Sequence, residues 1–259
     1  MTSRQVVCYA HRGARAYAPE NTLLAFAMAF DVGADAIECD VALSSDRCPI
    51  VIHDATLDRT TSGRGPVHLR TLAELRSMDV GWIRHPPERI PLLEEVLELV
   101  KCRNGQINLE VKGGSLPESL ATAEATAPLL EGLAGDFRDR VLVSSFEHTA
   151  IALLKERLPW LRIGVLYGSQ WRYQDLVTPA LTLGAEAIHP EVGLLTREVI
   201  AEAHQANLRV NVWTANSWMR IRRLLAWDVD GIFSDYPERV VILRALLLSR
   251  DRSGRISER

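Results

Sequence analysis

The sequence predicts an α/β protein, a closed TIM (β/α)8 barrel with a small insertion after the second strand. Three observations predict it. Short β-rich runs alternate with helical patterns through eight units. No Gly-x-Gly-x-x-Gly turn follows the first strand, as an open dinucleotide-binding sheet would carry. Chemically useful residues follow nearly every strand, where the working rim of a barrel lies. At 259 residues and 47% hydrophobic, the chain can bury one such core.

The first strand spans Val6 to Ala10 and runs into His11, with a helix over Thr22 to Val32. The second spans Ala36 to Leu43 and is continued by Ile50 to His53. From His53 to Pro91 the alternation lapses into a stretch rich in Gly, Pro and Arg, the insertion at 54–91. One short helix is expected in it, where Thr71 caps and Glu74 stands three residues on. A helix over Leu92 to Lys101 precedes the third strand, Gln106 to Val111. The fourth strand, Val141 to Ser145, is followed by a helix over His148 to Leu158. Arg162 to Tyr167 is the fifth, and its helix must come from Trp171 to Leu183 despite Pro179. Ala185 to His189 and Arg209 to Thr214 form the sixth and seventh strands, with helices over Thr196 to Ala206 and Trp218 to Trp227. Gly231 to Ser234 closes the set. Residues 1–250 read as a single domain and 251–259 as a charged, frayed tail.

A net charge of −3 with scattered arginines offers no basic face, so nucleic acid is excluded as a partner. No run is long enough for a bilayer, and Met1 to Gln5 lacks an apolar leader. The cysteines at 8, 39, 48 and 102 have no metal-ligand spacing. Reduced thiols are expected, in a cytoplasmic monomer or homodimer.

Glu38 and Asp40 share one face of their strand, and Glu110 holds a matching place with Lys112 two residues beyond. Three carboxylates at one mouth need compensating charge. An all-oxygen set suits Mg2+ or Ca2+; the alternative is structural ion pairing with Arg12, Arg15 and Lys112. His11 and His53, both at strand ends, offer a general acid and base near neutral pH. Arg12 and Gly13 suit the approach of a phosphate, the guanidinium by its fork and the glycine by its open backbone. His68, His85, His148 and His204 read as caps, core or surface groups. The outline is that of a phosphodiester-cleaving site.

His11-Arg12-Gly13, Pro19-Glu20-Asn21-Thr22, Glu38-Cys39-Asp40, His53-Asp54, Leu57-Asp58-Arg59-Thr60-Thr61, Pro91-Leu92-Leu93-Glu94-Glu95-Val96-Leu97, Glu110-Val111-Lys112, Trp213-Thr214-Ala215-Asn216 and Asp230-Gly231-Ile232-Phe233-Ser234-Asp235-Tyr236-Pro237 together resemble the glycerophosphodiester phosphodiesterase family. The resemblance spans all eight strands. It implies metal-dependent hydrolysis of glycerophosphodiesters to glycerol 3-phosphate and an alcohol. Glu38, Asp40 and Glu110 would bind the metal, His11 and His53 act as acid and base, and Arg12 and Lys112 hold the phosphate. The insertion would cap the mouth and help receive the glycerol group.

The resemblance also gives Phe146 an apolar contact on the leaving-group side and Trp213 a place in the pocket wall, with core packing the equal alternative for each. Glu20 and Asn21 read as a helix start, Asn21 capping the helix near Thr22. His189 reads as a rim histidine bound to a neighbour, and Trp171-Arg172-Tyr173 as a surface cluster. Two rival functions remain open. A lysophospholipase D-type relative would use the same groups on a lysolipid, but the chain lacks a long amphipathic basic helix for docking. A non-catalytic metabolite-binding barrel would have no need of intact histidines and acids.

Overall fold

A computed structural model describes residues 5–81, 87–172 and 174–254, with side chains to residue 247. The described residues form nine strands: β1 (Val7–His11), β2 (Ala36–Leu43), β3 (Pro49–Val51), β4 (Gln106–Val111), β5 (Val141–Ser145), β6 (Arg162–Tyr167), β7 (Ala187–Pro190), β8 (Arg209–Val212) and β9 (Gly231–Ser234). All but β3 pair in parallel around a ring, and β1 closes it by pairing with both β2 and β9. This is the TIM barrel expected from the alternation.

The second unit differs from the sequence reading. The run from Ile50 does not extend β2; the chain reverses after Leu43, and β3 lies antiparallel along the far half of β2, with Val41 opposite Val51. The near half of β2 is occupied by β1, where His11 pairs with Glu38. The Ile52 amide then donates to the Asp40 carbonyl at 3.0 Å, which delivers His53 to the C-terminal mouth beside that residue.

Strand alternation sorts β2 into two faces. Ile37, Cys39 and Val41 join the apolar layer between strands and helices, which also holds Phe26, Val96 and Leu130, while Glu38 and Asp40 fall on the other face. The barrel interior is partly polar. His189 and Asn211 bond at 3.0 Å, Asn108 and Ser144 at 2.9 Å, and Tyr9 stacks on Phe233 with ring centres 4.5 Å apart. Gly164 makes room for this, since a Cβ there would stand 2.5 Å from His189 Nε2.

The helices are α1 (Leu23–Asp31), α2 (Leu72–Arg76), α3 (Leu93–Cys102), α4 (Leu116–Glu131), α5 (His148–Arg157), α6 (Val177–Thr182), α7 (Arg197–Gln205), α8 (Trp218–Ala226) and α9 (Pro237–Gly254). The cap of α1 is Thr22, whose hydroxyl accepts from the Ala25 amide, not Asn21 as expected. The box of Thr71 and Glu74 forms at α2 as read. In α6, Pro179 sits in the first turn, where its missing N–H has no helical partner to lose. α4 lay outside the segments read from sequence: it carries two prolines, and its buried face is mostly small, with Ser119, Thr122, Ala123, Thr126 and Ala127 beside Leu130.

The inserted segment packs Leu57, Val67, Leu75, Val80 and Ile90 into a small separate core with Ile50 of β3 and Ile52. Residues 82–86 of it, including His85, and 255–259 of the tail lie outside the described residues. The backbone of α9 stays helical to Gly254. Among the described residues no helix is long and apolar enough to cross a membrane.

Candidate active site

Glu38 and Asp40 from β2 and Glu110 from β4 meet at the barrel mouth, Asp40 lying opposite Glu110 in the strand register. One carboxylate oxygen from each lies within 4.8 Å of the others, and all three residues are buried. Two cations face them. Lys112 Nζ lies 2.8 Å from Glu110 and 3.5 Å from Asp40, while Arg12 Nε lies 3.3 Å from Asp40. Three acids against two cations leave an excess of negative charge in a low-dielectric pocket.

The titration of the trio reflects that excess. Burial pushes Glu38 well above the ordinary carboxylate range, and the charges of Asp40 and Glu110 push it further. Glu110 is likewise raised by burial, in spite of Lys112. Burial opposes ionisation of Asp40 too, but Lys112 and Arg12 outweigh it and hold its pKa low. Glu38 Oε1 and Asp40 Oδ1 are buried and make no hydrogen bond. Buried oxygens without donors, converging in an all-oxygen set, fit a hard divalent cation. The ion pairs of the alternative reading also form, through Arg12 and Lys112; Arg15 turns elsewhere.

The loop after β1 is shaped for this centre. Arg12 and Gly13 take left-handed backbone angles, φ 56° and 79°, and the Arg12 amide then donates to Glu38 Oε2 at 2.8 Å. A Cβ on Gly13 would lie 2.7 Å from the Ala25 backbone, so only glycine lets α1 pack this closely. Asn21 Nδ2 donates to Asp40 Oδ2 at 2.8 Å, and its own left-handed φ of 58° aims it there.

Two histidine–aspartate pairs flank the carboxylates. His11 Nδ1 lies 2.7 Å from Asp235 Oδ1, and His53 Nδ1 lies 2.7 Å from Asp54 Oδ1. Burial lowers the pKa of both imidazoles below 6.5, against the pull of their aspartates. The two pairs are linked through one hub. Arg59 grips Asp54 with Nε at 2.6 Å and Glu20 with Nη1 at 2.9 Å. Glu20 also accepts from Arg12 at 2.9 Å and pairs with Arg15 at 3.1 Å, and Arg15 reaches Asp235 at 3.8 Å. These arginines outweigh burial and hold Glu20 at a pKa of about 2.

The chain matches the glycerophosphoryl diester phosphodiesterase family over residues 11–239. The chain belongs to that family. A glycerophosphodiester phosphodiesterase of Bacillus altitudinis is 38% identical to it over 242 residues, 91% of this chain and 97% of that one. One of Caldanaerobacter subterraneus is 35% identical over 240 residues, 90% and 96% of the two chains. An Oleispira antarctica phosphodiesterase, solved with the product sn-glycerol-3-phosphate, superposes with a TM-score of 0.81 at 28% identity, covering 91% of this chain and 95% of that one. As an enzyme of this family, a phosphoric diester hydrolase, the chain is not the non-catalytic barrel of the rival reading.

The other candidate residues of this phosphodiesterase fall as follows. Phe146 and Trp213 meet edge to face at 5.4 Å on the rim, and Trp213 Nε1 donates to the His189 carbonyl at 2.7 Å. Phe146 is 41% exposed, so it is no core residue. His189 is wholly buried and bound to Asn211, held neutral by burial with a pKa of about 3. Trp171 is not a surface group: it stacks on His148 and meets Tyr167 edge-on at 5.0 Å, packed against the main core. Tyr173 lies outside the described residues. His148 bonds the Leu166 carbonyl and His204 pairs with Asp230, both structural as read.

Asp235, Asp54 and Arg59 had no role in the sequence reading beyond their places in motifs, and Glu20 was read only as part of a helix start. Asp235 is 224 residues from its histidine and Glu20 is 39 from Arg59, so spacing carries no trace of either contact. Asp54 adjoins His53, and that adjacency was a signal to be taken.

Proposed function

We propose that this phosphodiesterase hydrolyses glycerophosphodiesters to glycerol 3-phosphate and an alcohol, with a divalent cation, Mg2+ or Ca2+, held by Glu38, Asp40 and Glu110. The observation that carries the reading is the converging, partly unbonded carboxylate trio set between two histidine–aspartate pairs. Its four cysteines form no disulfide, in keeping with a cytoplasmic enzyme. A cation bound there supplies positive charge beside the phosphoryl group.

The remaining roles fall to side chains. Arg12 and Lys112 draw the anionic phosphodiester in and offset the charge that builds on its oxygens. Each aspartate occupies Nδ1 of its histidine, which leaves Nε2 to exchange a proton with substrate. One imidazole takes a proton from the attacking oxygen, and the other gives one to the departing alkoxide. Burial favours the neutral ring, the form that accepts a proton, while the aspartate beside each ring favours the protonated form, the one that can give a proton from Nε2.

The test is release of glycerol 3-phosphate from glycerophosphocholine, glycerophosphoethanolamine and glycerophosphoinositol, before and after chelation. Activity lost with chelator and restored by Mg2+ or Ca2+ is expected. Full turnover in metal-free protein would remove the cation from the reading, and Glu110→Gln with unchanged metal affinity would remove that ligand.

A further inference from the structure

The loop after β8 supplies Asn216, a side chain that no step of the reaction uses. It meets Asp235 twice: Nδ2 donates to Asp235 Oδ2 at 2.8 Å, and Oδ1 accepts the Asp235 amide at 2.9 Å. One planar amide therefore holds both the carboxylate and the main chain of the same residue. The other carboxylate oxygen, Oδ1, is the one that meets His11 Nδ1 at 2.7 Å.

Asn216 is itself fixed from three sides. The Ala215 amide donates to the Phe233 carbonyl of β9 at 2.9 Å, Arg239 Nη1 donates to the Asn216 carbonyl at 2.5 Å, and Ser217 caps α8. Ser234 Oγ adds a longer bond to Asn216 Oδ1 at 3.3 Å. With its oxygen facing donors and its nitrogen facing a carboxylate, the amide fits in one orientation only.

The carboxylate needs this guide because two groups compete for Oδ1. Arg15 Nη1 stands 3.8 Å from the oxygen that His11 uses. A guanidinium binds a carboxylate more strongly than the N–H of a neutral imidazole does, so a carboxylate free to turn would move toward Arg15 and away from His11. Asn216 opposes that turn by engaging Oδ2. It does so without adding charge, whereas Asp54, in the other pair, is gripped by the cationic Arg59.

We propose that Asn216 is a positioning residue for His11, acting through Asp235 by holding its carboxylate toward the ring. This rests on the reading of His11 as a proton-transfer group.

The experiment follows glycerol 3-phosphate release from glycerophosphocholine with the metal-loaded enzyme. Asn216→Ala should lower kcat by about tenfold or more and leave KM within about twofold of the parent, with circular dichroism unchanged. Asn216→Asp keeps the size of the side chain and the acceptor for the Asp235 amide and replaces only the donor, so it decides the matter should Asn216→Ala fail to fold. At about pH 8, with both carboxylates ionised, it should lose about tenfold in kcat as well. In an Asp235→Ala background, Asn216→Ala should cost less than about twofold more, while in an Asp54→Ala background it should cost its full tenfold or so. A near-parent kcat in Asn216→Asp overturns the proposal, as do losses that multiply in full on Asp235→Ala. An active His11→Ala enzyme with near-parent kcat overturns instead the reading of His11 on which the proposal rests.

Discussion

The two histidine–aspartate pairs have the same 2.7 Å contact but are built in opposite ways. His11 comes from β1 and Asp235 follows β9, so that pair exists only once the ring has closed between its first and last strands. Asp235 is held further by Asn216 Nδ2 at 2.8 Å, from the loop after β8. His53 and Asp54 are neighbours in sequence, and their geometry is fixed by Arg59, from the inserted segment. One half of the site is a product of barrel topology and the other of a local excursion. Glu20 joins the halves, which teaches that the insertion is wired to the barrel as well as packed on it.

The first way to test that contrast is to remove each imidazole. His11→Ala and His53→Ala should each cut kcat by roughly 10²- to 10⁴-fold with the fold intact by circular dichroism. If either variant keeps near-normal turnover, the symmetry of roles is gone and only one pair matters.

Next come the anchors. Asp235→Asn should lower kcat by roughly a hundredfold with little change in KM, because His11 loses the carboxylate that orients it. Arg59→Ala should cost less, roughly tenfold, since Asp54 stays adjacent to His53, and Arg59→Lys should recover part of the loss. Steady-state kinetics on a single diester ranks the three. An Arg59→Ala loss equal to that of Asp235→Asn would show that the insertion governs its half as firmly as ring closure governs the other.

The smallest effect is on stability against pH. Glu20 is held at about 2 from an ordinary 4.5, so its ion pairs stabilise the folded state above pH 4.5, and that contribution is lost as pH falls towards 2. The difference in Tm between the parent and Glu20→Gln should therefore be constant from pH 7 to 5 and shrink through the window from 4.5 to 2. A difference that persists at pH 2 would mean that Glu20 acts by packing, not by charge.

The contrast also explains what could be read in the chain. Strand alternation is local, so the eight barrel strands were legible, and so was the shared face of Glu38 and Asp40, which follows from a two-residue period. The reversal into β3 was not, because Ile50 to Val51 is equally apolar in either direction. α4 escaped because its buried face is built largely from Ser, Thr and Ala, which leaves little periodic contrast. Asn21 looked like a cap because its type suits one; only its tertiary contact with Asp40 and its left-handed backbone assign it to the site. Trp171 was placed outside for want of any local sign that His148 and Tyr167 would enclose it.

Gly13 extends the influence of the centre to a helix that never meets substrate. Any larger residue there would drive α1 away, and with it the turn that presents Arg12 to Glu38. The same crowding bears on Ala25, whose own methyl group lies at that contact. Substitution at this buried contact is thus filtered by catalysis, and bulk tolerated elsewhere in the helical layer would be rejected at these two positions.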